Sequence, residues 1–206
     1  MGRSFMVLTP STMLPLGSAL PAFQLPVAPG TGEGDRSVDS QALDQRPLLL
    51  MLLCSHCPFV KHIEAELSRI DSDYRERVSL MGVASNSWIT HPQDKPEALA
   101  EQAQRHGWRF PYLLDQDQTL AKALQAACTP EFYLFAPDNG SQTLQYRGQL
   151  DGSRPGNNVP VDGADLRAAL DAVLQGQAPP LEQQASIGCN IKWHPGQEPQ
   201  WFGETA

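Results

Sequence analysis

Cys54-Ser55-His56-Cys57 sets two thiols with two residues between them, directly before Pro58 and an amphipathic run. Sulfurs at that spacing can close a short disulfide loop, and a helix that follows lends the positive end of its dipole, which favours thiolate over thiol. The chemistry is thiol–disulfide exchange: one thiolate attacks a substrate disulfide, and the second thiol resolves the mixed disulfide. Cys54, which precedes the helix, is expected to be the more exposed sulfur and the nucleophile, with Cys57 resolving. His56 is either a solvated loop residue or an imidazolium that activates Cys54 by lowering its pKa. His62 and Lys61, further into the helical pattern, are read as solvated or partly packed surface.

Two further cysteines, Cys128 and Cys189, complete the set of four. They are read as small buried hydrophobes; the alternative is a soft-metal set of Cys54, Cys57 and Cys128 completed by Cys189 or His56. Four cysteines are too few for a disulfide scaffold, and in a reducing compartment a C-x-x-C is catalytic or metal-binding rather than structural. The expected location is the cytoplasm, since Thr9, Pro10, Ser11 and Pro15 interrupt any signal-peptide core after Arg3.

The elements around the motif explain its placement. Pro47–Leu53 is apolar on both faces, as a central parallel strand would be, and the motif sits at its C-terminal end. Val60, Ile63, Leu67 and Ile70 then recur at helical spacing behind Pro58, which suits a first helical turn. Val78–Ala84 and Phe110–Leu114 read as strands, 95–106 as a helix stopped near Gly107, and 118–127 as another helix. Glu131–Ala136 and Thr143–Gln149 form a hairpin across Pro137-Asp138-Asn139-Gly140, and a last helix runs from Gly163 to Leu174 with Gly176 as its stop. The alternation predicts an α/β fold, a central mixed sheet flanked by helices.

One domain accommodates the 206 residues. Residues 1–46 form an extended N-terminal segment with the glycine-rich turn Gly30–Gly34, residues 47–176 the core, and residues 177–206 a tail that packs on it. The formal net charge of -8, without a lysine and arginine cluster to neutralise phosphates, argues against nucleic acid or an anionic membrane as partner. Small molecules and proteins remain. The longest apolar run, Leu48–Cys54, is of strand length.

A C-x-x-C at a strand-to-helix turn, followed much later by Thr129-Pro130 before a strand and hairpin, resembles the thioredoxin superfamily. The opening Leu16–Pro26 is similar to redoxin domains of the alkyl hydroperoxide reductase and thiol-specific antioxidant type. More narrowly, CSHCPFVKHI, FPYLLDQDQTLAKAL, CTPEFYLF, YRGQLDGSRPGN and SIGCNIKW resemble a peroxiredoxin-like group of thioredoxin-family proteins. The resemblance implies a thioredoxin-like fold, a cis Thr129-Pro130 peptide facing the thiols, and substrate binding by that dipeptide as an added strand pairs with a sheet edge. It also implies protein or small-molecule disulfide substrates, a thiol electron donor, and neither cofactor nor resident metal.

Two helpers of the best-known chemistries are missing. Met51 stands at the peroxiredoxin threonine place counted from Cys54 and cannot donate a hydrogen bond to peroxide; counted from Cys57, that place falls on Cys54. Arg147 and Arg154 are the candidate guanidiniums for a peroxidase. Leu48 replaces the buried acid of thioredoxin, so the resolving step needs another proton acceptor. The loop 151–158 has strong turn chemistry and one arginine, and reads as a surface connection that could rim a site.

Overall fold

The computed structural model describes residues 8–32, 37–138 and 140–202; Arg3, the Glu33-Gly34 part of the glycine-rich turn and Asn139 of the hairpin turn lie outside them. Three short strands come first, β1 (Leu8–Pro10), β2 (Gln24–Pro26) and β3 (Ser37–Asp39). They lead into β4 (Leu48–Leu52), α1 (Pro58–Tyr74), β5 (Ser79–Ala84), α2 (Pro96–His106), β6 (Tyr112–Leu114) and α3 (Thr119–Ala123). The remainder holds β7 (Cys128–Thr129), β8 (Glu131–Asp138), β9 (Ser141–Gly148), α4 (Ala164–Leu174) and β10 (Ile187–Asn190).

The main sheet has the order β6-β5-β4-β8-β9, parallel from β6 to β4 and antiparallel from β4 to β9. Every residue of β4 is buried, because both faces are covered. Leu49, Met51 and Leu53 meet Val60, Ile63 and Leu67 of α1 and Leu166 and Leu170 of α4. Leu48, Leu50 and Leu52 face Leu120 and Ala121 of α3 together with Leu14 and Phe23 of the entry segment. At about 1.5–3 kcal/mol for each fully buried leucine, this double burial fixes the register of β4 and so the position of the thiols just beyond it.

Gly107 ends α2 in the left-handed region, φ 66°, and its N–H returns to the Ala103 and Gln104 carbonyls. The helix expected over 118–127 is shorter than its alanine content suggests. The backbone turns left-handed at Gln125, φ 52°, and the Ala127 N–H donates to the Glu131 carboxylate instead of to a helical carbonyl. Residues 128–129 are thereby released into β7. The hairpin strands run further than expected, with Pro137 and Asp138 still paired to β9.

A second sheet, β1-β10-β7, is antiparallel throughout. Tail residues 187–190 thus lie between an N-terminal strand and the segment that precedes Pro130. Among the described residues, no helix is long and apolar enough to cross a membrane.

Candidate functional site

Three structural decisions bring the thiols together. The register of β4 on β8 sets Leu52 opposite Glu131, so Cys54, two residues further on, meets the segment just before β8. Pro58 takes the first helical position and leaves Cys57 as the N-cap, at the positive end of the seventeen-residue α1. The Thr129–Pro130 peptide is cis. Thr129 directs both oxygens at the pair: its Oγ1 lies 3.3 Å from Cys54 Sγ and its carbonyl oxygen 3.3 Å from Cys57 Sγ.

The expected contrast in exposure is absent. Cys54 is 1% exposed and Cys57 0%, both buried between β4, α1 and the Thr129–Pro130 segment, while Ser55 and His56 between them are half-buried. The electrostatics also run opposite to the sequence expectation of a depressed Cys54 pKa. Burial pushes the Cys54 thiol well up, and neighbouring Cys57 and the Asp94 carboxylate push it further. The Cys57 thiol is held well below the ordinary range, first by its hydrogen bond with Cys189 and then by that with Cys54, with the Val60 backbone N–H adding to them against burial. Of the two, Cys57 is the thiol whose surroundings lower its pKa. Pro58 carried the signal for this, since a proline at the first helical position makes the residue before it the N-cap.

Cys189 arrives from the tail. It pairs with Thr129 in the β10–β7 register, and its Sγ lies 2.9 Å from Cys57 Sγ. Its thiol is pushed up, chiefly by the hydrogen bond it shares with Cys57 and then by burial. The reading of Cys189 as a small buried hydrophobe leaves out this contact. Cys128, one residue before Thr129, turns the other way: its Sγ faces the Pro130 carbonyl at 3.8 Å and the Glu131 carboxylate at 4.0 Å. Among the described residues, the donor atoms that converge are those of Cys54, His56 and Asp94, all within 4.8 Å of one another, and not those of Cys54, Cys57 and Cys128.

Asp94 was not anticipated from sequence. It closes a short 3-10 turn, Pro92–Asp94, between β5 and α2, and is 2% exposed. Its carboxylate lies 2.7 Å from His56 Nδ1 and accepts from Asn86 Nδ2, the Ser55 N–H and the Ser55 hydroxyl. Burial alone would raise its pKa, but the bonds from His56, Asn86 and Ser55 outweigh it, and Asp94 stays ionised below the usual carboxylate range. His56 is thus an oriented histidine beside Cys54, stacked on His91 with ring centroids 5.7 Å apart.

Glu131 anchors the far side of the proline. It accepts from the Ala127 and Cys128 N–H groups at 3.0 and 3.3 Å and from the Tyr133 hydroxyl at 2.7 Å. Burial nevertheless dominates and raises its pKa from 4.5 to about 7. A carboxyl whose pKa is raised on folding favours the folded state below its unfolded pKa, and that advantage is lost as pH rises toward the folded value. Wild-type stability is accordingly expected to fall between pH 4.5 and about 7 by up to about 3 kcal/mol from this group. Glu131→Gln should flatten that slope in urea titrations across the window; a variant whose pH profile parallels the wild type would refute the assignment.

The loop 151–158 is more than a surface connection. Asp151 is buried and accepts from the Ser153, Asp162 and Gly163 N–H groups, and Ser153 hydrogen-bonds His62 on α1 at 2.8 Å. His62 is therefore a packed residue. The loop forms one wall of a shallow depression whose other walls are Phe59, Pro130 and Ile187. The edge at Thr129, expected to pair with an extended substrate, is occupied by β10, whose Cys189 and Asn190 pair with Thr129 and Cys128. Arg147 and Arg154 spend their donors elsewhere, on the Leu14 carbonyl and Gln183 in one case and on the Asp151 and Ser153 carbonyls in the other.

The AhpC/TSA family matches residues 16–147. An uncharacterized conserved protein from Geobacillus kaustophilus is 42% identical, with a TM-score of 0.85 over 93% of this chain and 98% of its own. A hypothetical protein from Sinorhizobium meliloti 1021 is 38% identical, with a TM-score of 0.83 over 91% of this chain and 100% of its own. Mycobacterium bovis AhpC, at 18% identity and a TM-score of 0.53 over 83% of this chain and 98% of its own, shares the fold. A comparison with curated proteins gives no match.

Proposed function

This chain belongs to the AhpC/TSA family, within the redoxins of the thioredoxin superfamily, and we propose that it is a thiol–disulfide oxidoreductase in which Cys57 is the nucleophile and Cys54 the resolving thiol. The observation that carries the reading is the placement of Cys57 as N-cap of α1, with its thiol lowered while that of Cys54 is raised. The Cys57 thiolate attacks one sulfur of a substrate disulfide and expels the other as a thiolate. Cys54 then attacks the Cys57 sulfur, forms the Cys54–Cys57 disulfide and releases the second substrate thiolate.

Cys54 must lose its proton in that step, and Leu48 offers no base. The Asp94–His56 pair supplies one: Asp94 orients the imidazole, and a ring nitrogen lies within 4.8 Å of Cys54 Sγ. His56 is thus proposed as proton acceptor during resolution rather than as a stabiliser of a resting Cys54 thiolate. The Thr129 hydroxyl orients Cys54, and the depression beside Pro130, lined by Phe59 and Ile187 on one side and His62, Asp151 and Arg154 on the other, is the proposed approach for the substrate. Protein or small-molecule disulfides are the proposed substrates, with a thiol donor restoring the pair in a reducing, cytoplasmic setting.

The peroxidase reading has less support, because Met51 offers peroxide no hydrogen bond and the guanidiniums of Arg147 and Arg154 already donate to backbone carbonyl groups. Insulin reduction by dithiothreitol, followed as precipitation, should be accelerated by the protein, and oxidised glutathione should convert the reduced protein to the Cys54–Cys57 disulfide. No acceleration and no disulfide would overturn the reading; oxidation by hydrogen peroxide far faster than that of free cysteine would move it to a peroxidase.

A further inference from the structure

Resting on that reading, we infer that Cys189 is a third redox thiol, and that the oxidised protein partitions between a Cys54–Cys57 and a Cys57–Cys189 disulfide. Three observations meet at this sulfur. Its distance to Cys57 Sγ, 2.9 Å, needs only a sub-ångström approach to reach a bond of about 2.05 Å. Its strand is seated by backbone pairing, Cys189 on Thr129 and Leu8 on Cys189, so the sulfur is held in place from both sides. The backbone around it is closely fitted, since a Cβ added to Gly188 would stand 2.1 Å from the Thr129 carbonyl oxygen. β10 therefore occupies the Thr129 edge as an extended substrate chain would, and presents its own cysteine to the same nucleophile.

The exchange step balances without an external oxidant. In the oxidised protein, the Cys189 thiolate attacks Cys57 Sγ; the Cys57–Cys189 bond forms, the Cys54–Cys57 bond breaks, and Cys54 leaves as a thiolate. The proton that Cys189 gives up ends on Cys54, so protons balance as well. One disulfide is consumed and one formed, so no net oxidation occurs. Cys57 is common to both bonds, while Cys54 and Cys189 alternate as its partner.

Wild-type protein equilibrated in glutathione buffers from reducing to oxidising, alkylated, and digested without reductant tests this directly. The expected result is a cross-linked pair of peptides carrying Cys57 and Cys189, beside the peptide with an internal Cys54–Cys57 disulfide. Finding the internal disulfide alone at every ratio overturns the inference and leaves the proposed oxidoreductase intact; finding no intramolecular disulfide removes both. Cys54→Ser provides a second reading, in which oxidation should cost the protein two hydrogens through Cys57–Cys189, whereas glutathione retained on Cys57 with Cys189 still alkylatable would refute it. The wild-type measurement stands by itself if that variant does not fold.

Discussion

Replacing Cys57 by serine is expected to lower disulfide exchange about a thousandfold or more, as loss of an enzyme's nucleophile does. The same variant should lose the ultraviolet thiolate absorbance at neutral pH. Both effects follow from how the surroundings of the two thiols differ. Cys57 stands at the N-cap position of α1, shares a hydrogen bond with Cys189, meets the Val60 N–H, and is the thiol lowered by its surroundings. Cys54→Ser should keep the thiolate absorbance and the first, mixed-disulfide step, and lose the steps that depend on resolution. An absorbance that survives in Cys57→Ser and disappears in Cys54→Ser would return the nucleophile to Cys54.

The second large effect is expected at a residue without a side chain. Gly188→Ala would bring a Cβ to 2.1 Å from the Thr129 carbonyl oxygen and 2.7 Å from its carbon, with backbone on both sides of the clash and no flexible group to yield. Relief requires β10 to move off β7, and overpacking of a fitted backbone costs about 1–3 kcal/mol or more. The urea midpoint should drop accordingly. Alkylation of Cys189, 6% exposed in the wild type, should accelerate severalfold as its strand lifts. An unchanged midpoint together with an unchanged alkylation rate would show that the strand is not seated as described.

Much of this site was legible before any coordinates. The C-x-x-C followed an apolar strand and preceded a helical stripe, and those local patterns placed the thiols at the β4–α1 turn. Binary patterning reports burial and element type, and it did so well here because β4 is buried on both faces. It is blind to partners distant in the chain. Cys57 and Cys189 are separated by 132 positions, and the apolar patch Ser186–Trp193 in the polar tail signals that the tail folds back on the body without saying which thiol it meets. Asp94 was equally hidden, since a single aspartate in a proline-containing loop is ordinary turn composition until the fold folds that loop over Ser55 and His56. The proposed exchange of the thiols' roles is a matter of weighting: order along the chain suggests Cys54 as nucleophile, and the N-cap position implied by Pro58 favours Cys57.

The β1-β10-β7 sheet also bears on how the molecule is assembled. It joins residues from opposite ends of the described chain, Leu8 to Cys189 and Cys189 to Thr129, and contacts between such distant positions bear the largest loop-closure cost and form late. The main sheet also contains pairings between chain neighbours, β4 with β5 and β8 with β9, beside the long-range β4–β8 pair at its centre. During synthesis the strand–turn–helix that holds Cys54 and Cys57 is complete while β10 is still untranslated. For that interval the two sulfurs meet cellular oxidants without their cover, and Cys57 lacks its neighbour Cys189. The last strand to be translated is thus the one that completes the cover over this thiol pair.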